Sequence, residues 1–171
     1  SGHFLYSAEG SNLIVLDVAD PAEPQVVSRT PMGWRTWFTI AMAISGDTLY
    51  VTGDNPGLQI VDVSDPTAPV LRGSYATSGV ALGVTIANGL VYLADSHPGL
   101  EIIDASNPDA PTRRGEFATP GAGYGVVVAG NLAYVADGDS GLQIVDVSDP
   151  SAPVARGSLA MPGNSEGIAV S

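Results

Sequence analysis

Gly141-Leu142-Gln143-Ile144-Val145-Asp146-Val147-Ser148-Asp149-Pro150-Ser151-Ala152-Pro153 decides the fold of this 171-residue chain, because the chain writes it four times. Its apolar half returns as Leu13-Ile14-Val15-Leu16-Asp17, Leu58-Gln59-Ile60-Val61-Asp62 and Leu100-Glu101-Ile102-Ile103-Asp104. Each copy runs into an Asx-Pro-x-x-Pro turn, beginning at Asp20, Asp65, Asn107 and Asp149, so the period is 45, then 42, then 42 residues. Counting on from Asp149 through Ser171 and from Ser1 to Asp20 gives a further 42. A repeat of this length specifies an architecture strongly and an activity weakly.

Working outward from Leu142, one period reads as four short strands separated by turn residues, with no stretch of helical apolar spacing. Residues 125–128 form strand A, 132–136 strand B, 142–147 strand C and 153–159 strand D. Ala129-Gly130-Asn131 is a tight hairpin signal between A and B, repeated at Ala87-Asn88-Gly89 and Ser45-Gly46-Asp47. The two prolines after strand C lack the amide that a central ladder needs and so end it. Four antiparallel strands in about 42 residues is the pattern of a propeller blade. The expected fold is all-β: a β-propeller of four-stranded antiparallel blades, with residues 1–171 as one domain.

The chain begins and ends inside a repeat, so residues 167–171 supply a strand A and residues 1–30 the other three strands of one blade. Strand exchange within that blade closes the ring. Closure inside one chain gives a four-bladed monomer; exchange between two chains gives an eight-bladed, strand-swapped homodimer. A piece of a longer propeller is the third reading.

Several repeated residues have structural readings. Asp17, Asp62, Asp104 and Asp146 end strand C on an apolar face, where a carboxylate needs partners, and the amides of the following turn are within reach. Ala41, Gly83, Gly125 and Gly167 open strand A, where small residues let the blades converge on the axis. Arg72, Arg114 and Arg156 recur on strand D, placed for pairing with carboxylates and for edge protection.

Composition narrows the function classes. There is no cysteine and no lysine, and 18 carboxylates face six arginines, for a net charge of −12. Phosphate recognition is built from basic patches, so nucleic-acid binding is not expected. No apolar run approaches the roughly 20 residues that span a bilayer, so no membrane insertion is expected. A Thr-, Ser-, Gly- and Asp-rich surface suits an extracellular or cell-surface protein.

The four Leu-x-Ile/Val-x-Asp segments, their Asx-Pro-x-x-Pro turns and the Tyr-x-x-Asp of Tyr134 to Asp137 resemble the LVIVD-repeat family of bacterial and archaeal proteins. The resemblance covers essentially the whole chain. It implies cell-surface or secreted β-propellers, mostly without an assigned activity, and carries over no catalytic residue.

Differences between the repeats are better functional signals than the repeats themselves. The D-to-A segments 74–86, 116–128 and 158–170 each span 13 residues, whereas 29–44 spans 16 and brings Trp34, Arg35, Trp37 and Phe38. Tyr124 and Glu166 occupy corresponding loops. Trp34, Arg35, Trp37, Tyr124 and Glu166 are therefore the candidate ligand-binding residues, suited to stacking on a sugar ring or holding a protein partner. The alternative is that the aromatics plug the channel mouth or pack on their own blade.

The B-to-C loops add Glu9, Asp54, Asp95 and Asp137-Gly138-Asp139-Ser140-Gly141. Asp137 and Asp139 are spaced as two calcium ligands, without the further ligands of a complete motif, and a hydrogen-bonded Asp-Gly turn is the stronger reading. No other cofactor is expected. His97 with Ser96 and Asp95 is a poor match to a triad, and a carboxylate pair such as Glu166 with Asp54 or Asp95 is the kind a glycoside hydrolase uses, though nothing in the spacing selects it. The expected function is a non-enzymatic binding or scaffold propeller using the D-to-A loop face. The alternatives are a structural assembly unit and, less favoured, a glycoside-type hydrolase.

Overall fold

The computed structural model describes residues 3–32 and 39–171. Among these the chain is strand and turn, without helix, arranged as four antiparallel sheets. The first contains β1 (Phe4–Glu9), β2 (Asn12–Asp17) and β3 (Gln25–Pro31). The second contains β4 (Thr39–Ser45), β5 (Thr48–Gly53), β6 (Gly57–Asp62) and β7 (Val70–Ala76). The third contains β8 (Ala81–Ala87), β9 (Leu90–Asp95), β10 (Gly99–Asp104) and β11 (Thr112–Ala118). The fourth contains β12 (Gly125–Ala129), β13 (Leu132–Ala136), β14 (Leu142–Asp146) and β15 (Val154–Leu159). Within every sheet, hydrogen-bonded neighbours are consecutive in the chain, which is the meander of a propeller blade.

The third strands of the second and third sheets, β6 and β10, bury residues on both faces. Leu58 and Ile60 point one way and Val61 the other, and none is exposed to solvent. One face of each sheet therefore packs on the opposite face of the next. Leu13 and Met32 meet Leu49, Val51, Val61 and Val63; Tyr50, Leu58 and Ile60 meet Val91, Leu93 and Ile103. Tyr92, Leu100 and Ile102 meet Ala133, Val135 and Val145 in the same way. Each fully buried aliphatic side chain contributes roughly 1.5–3 kcal/mol, so these joints hold the sheets in series.

The turns behave as their sequence dictates. The carboxylate of the strand-ending aspartate accepts the amide two residues on at all four copies: Ala19 to Asp17, Ser64 to Asp62, Ser106 to Asp104 and Ser148 to Asp146, at 2.8–3.0 Å. The Asx residue then accepts its own i+2 amide, from Ala22, Thr67, Asp109 and Ser151. These aspartates are half-buried at the strand ends rather than enclosed in the apolar face.

A β-bulge recurs one strand later. Ile60 pairs with Gly73 and Val61 with Leu71, leaving Arg72 as the extra residue; Arg114 and Arg156 hold the same place. The bulge turns the guanidinium outward, where Arg72 grips Asp109 of the next sheet through Nε and Nη2, each 2.8 Å. Arg156 reaches Asp146 of its own sheet.

The small residues of strand A do let neighbours converge. A Cβ on Gly83 would lie 2.7 Å from the Tyr124 carbonyl oxygen and 3.1 Å from Gly125 Cα. The first sheet has three strands among the described residues, and residues 160–171 form no strand beyond one bridge, Gly138 to Ser165.

Candidate binding face

At the third and fourth sheets, buried acids tie the loop arriving from the preceding sheet to the loop that follows the sheet's second strand. Asp95, at the end of β9, is fully buried. Its Oδ1 accepts the His97 amide at 2.8 Å, Oδ2 accepts Gly79 N at 3.4 Å, and its carbonyl accepts Gly123 N at 3.1 Å. Ser96 Oγ and the Val80 amide, 2.8 Å apart, lock loop 77–80 against loop 96–98. Asp137 repeats the device one sheet on: it accepts the Thr119 hydroxyl and, at 3.0 Å, the Gly121 amide. An Asp following a Tyr-x-x spacing thus staples the loop arriving from the preceding sheet.

Tyr124 is half-buried beside β12; its amide donates to Ala136 O at 2.8 Å, and its ring edge crowds Gly138, 3.1 Å from a Cβ built there. Glu166 is exposed and accepts from Asn164 Nδ2 at 2.9 Å. Glu166 lines a groove of about 750 Å³ beside the fourth sheet, together with Tyr134, Leu142 and Met161; Tyr124 is not part of its lining. Trp34, Arg35, Trp37 and Phe38 lie outside the described residues. Asp137 is buried with its oxygens accepting the bonds above, while Asp139 is exposed on the turn, so the two carboxylates sit in different environments. Among the described residues no cluster of three or more His, Asp or Glu side chains converges. Asp54 is exposed, and His97 meets Asp95 through its backbone amide and not through its imidazole.

Sequence reasoning passes over Glu101. It is fully buried on β10 beneath loop 77–80, where Oε1 accepts the Ser78 amide at 3.0 Å and Oε2 the Tyr75 hydroxyl at 3.1 Å. Burial pushes its carboxyl above the usual range, against the pull of Ser78 and Tyr75, and Asp95 adds to the rise. Burial and the facing Glu101 charge push Tyr75 up to about 12. The available signal is a departure from the repeat: the corresponding residues are Gln59 and Gln143, and only Glu101 faces a tyrosine, Phe117 standing opposite Gln143's sheet in Tyr75's register.

Sheets of this topology, packed face to face in series around small-residue inner strands, define a β-propeller-like repeat protein. The LVIVD repeat family model matches residues 1–30, 39–77, 78–119 and 120–160. The chain belongs to the LVIVD repeat family. Among solved structures it is similar to the crystal structure of the computationally designed Ika8 protein, with a TM-score of 0.72 and 9% identity. That likeness covers 100% of this chain and 51% of the other, so this chain spans about half the length of that protein; at such identity it speaks for the fold alone. No match was found among curated proteins.

Proposed function

We propose that this protein is a non-enzymatic binding propeller that presents its loop face to a protein or glycan, in an extracellular or cell-surface setting. The carrying observation is the stapling by Asp95 and Asp137. Two buried carboxylates, which a hydrolase would keep available, are committed to holding loops 77–80 and 119–124 in place. A rigid loop face displaying Tyr124, with Trp34, Arg35 and Trp37 in the corresponding longer loop of the sequence, binds with little ordering cost. Glu166 supplies a polar rim. The test is retention of the chain on immobilised neutral glycans and on cell-wall protein extract, compared with Trp34→Ala/Trp37→Ala and Tyr124→Ala. Loss of retention at unchanged melting temperature supports the reading; equal retention by all three proteins sinks it.

A second reading is favoured by the three-stranded first sheet: the chain is an assembly unit whose ring is completed by strand exchange, residues 167–171 of one chain lying along β1 of another. An association seen in solution supports it, and a monomer at every concentration dismisses it.

A further inference from the structure

We propose that the open face of the fourth sheet is the seat for the first sheet of a second copy of this chain, and that the joint formed repeats the one between neighbouring sheets. The proposal rests on the assembly reading above and names its contact.

Three joints inside the chain define what a joint requires. In each, one face supplies a tyrosine (Tyr6, Tyr50 or Tyr92) and the leucine of the repeat (Leu13, Leu58 or Leu100), and the facing sheet supplies four aliphatic residues. Tyr92, Leu100 and Ile102 are at most 1% exposed because the fourth sheet covers them. Their counterparts on the fourth sheet, Tyr134, Leu142 and Ile144, are only half-buried. Leu159 is 59% exposed where Tyr75 and Phe117, in the same register, pack against the next sheet. The complementary half is open at the other end of the chain. Leu49, Val61 and Val63 are at most 4% exposed, whereas the matching Leu5 is 48% exposed and Leu16 and Val18 are half-buried.

A backbone contact tells the same story independently. Ser28 Oγ donates to Pro66 O at 2.7 Å, and a Cβ on Gly73 or Gly115 would overlap Pro108 O or Pro150 O. Each sheet thus presses its bulge glycine or serine on the first proline of the next turn. Gly157 is the next member of that series, and a Cβ there would meet only Ile144 Cδ1, at 4.0 Å. Pro21 is the one first proline of the four turns without such a neighbour among the described residues. Gly167 is likewise open where Gly83 and Gly125 are crowded.

Both halves of one joint are therefore built and vacant, at opposite ends of the series. A head-to-tail contact of this kind closes when two copies each place Pro21 against the other's Gly157, giving a two-fold ring of eight sheets. That fits four sheets following half the length of a longer chain of like fold.

Sedimentation equilibrium of the full chain, Gly157→Val and Ala22→Asp tests it. Space around Gly157 lets valine fold in the single chain, and the spectrum and melting of monomeric Gly157→Val check this. The expected result is a wild-type dimer, weakened at least tenfold by Gly157→Val. Ala22 corresponds to Asp109, so Ala22→Asp offers Arg156 the partner that Arg72 has and tightens the dimer about two- to fivefold. A wild-type dimer unchanged by Gly157→Val overturns the joint while leaving assembly intact. A wild-type monomer at all concentrations overturns both.

Discussion

At the scale of single residues, the carboxylates divide into two groups with opposite responses to pH. Asp146 is held down at about 2, chiefly by Ser148 and then by Arg156, and Asp62, Asp104 and Asp149 are lowered from 3.8 mainly by their own turn hydroxyls and amides. Their folded pKa lies below the unfolded one, so their contribution is present above pH 3.8 and is lost as pH falls through the lowered values. Glu101 runs the other way. Its pKa is raised from 4.5, so stability is fully present below pH 4.5 and declines as pH rises through the folded value. Glu101→Gln is expected to abolish that decline and raise the melting temperature at neutral pH by roughly 2–4 °C, since the Tyr75 hydroxyl can then accept from the amide. Thermal melts of both proteins across pH check it; parallel pH profiles would contradict it. Asp137→Ala strands the Gly121 amide, while the Thr119 hydroxyl keeps the Gly121 carbonyl as acceptor, and should cost about 1–3 kcal/mol by urea unfolding. The role of Asp17, Asp62, Asp104 and Asp146 is legible in the sequence because acceptor and donor lie two residues apart. Glu101 is not, because Tyr75 reaches it from 26 residues away in another sheet.

At the scale of elements, the bulge explains what strand alternation leaves open. Counting residues along strand D places Arg72, Arg114 and Arg156 at equal intervals but does not reveal that each is the unpaired residue of a two-against-one step. The same step brings Gly73 and Gly115 onto the next turn. Gly115→Val should therefore cost more than about 2 kcal/mol in the single chain, since backbone atoms of Pro150 cannot give way as a side chain would. Gly157→Val in a monomeric sample should change unfolding free energy by no more than about 0.5 kcal/mol. Equal losses for the two would show that the bulge glycine serves strand geometry and not the joint. Strand order and turn types were open to sequence reading, since period-2 patterns and Asx-Pro-x-x-Pro are local. The loop staples of Asp95 and Asp137 were not, because a buried carboxylate between two loops leaves no periodic trace.

At the scale of the whole molecule, four sheets in series leave two unlike faces, and what covers them decides the state of the protein. A net charge of −12 on each copy opposes association at low ionic strength. Added sodium chloride should therefore strengthen the dimer up to roughly 0.15 M, where the screening length is about 8 Å, and sedimentation at several salt concentrations reads this directly. A dimer weakened steadily by salt would mean that ion pairs, and not Leu5, Leu16, Tyr134, Leu142 and Ile144, supply the contact. The repeat period announces the blades and even the possibility of exchange between chains. It does not distinguish a ring closed by one chain from a ring closed by two, because both satisfy the same 42-residue arithmetic; the half-buried apolar faces and open Gly157 are three-dimensional facts. Light scattering on the wild-type chain over a wide range of concentration puts the matter to the test. The expected molar mass rises to twice the 17.4 kDa of one chain and stops there. A constant 17.4 kDa, or growth past the dimer without a plateau, would contradict the two-chain ring.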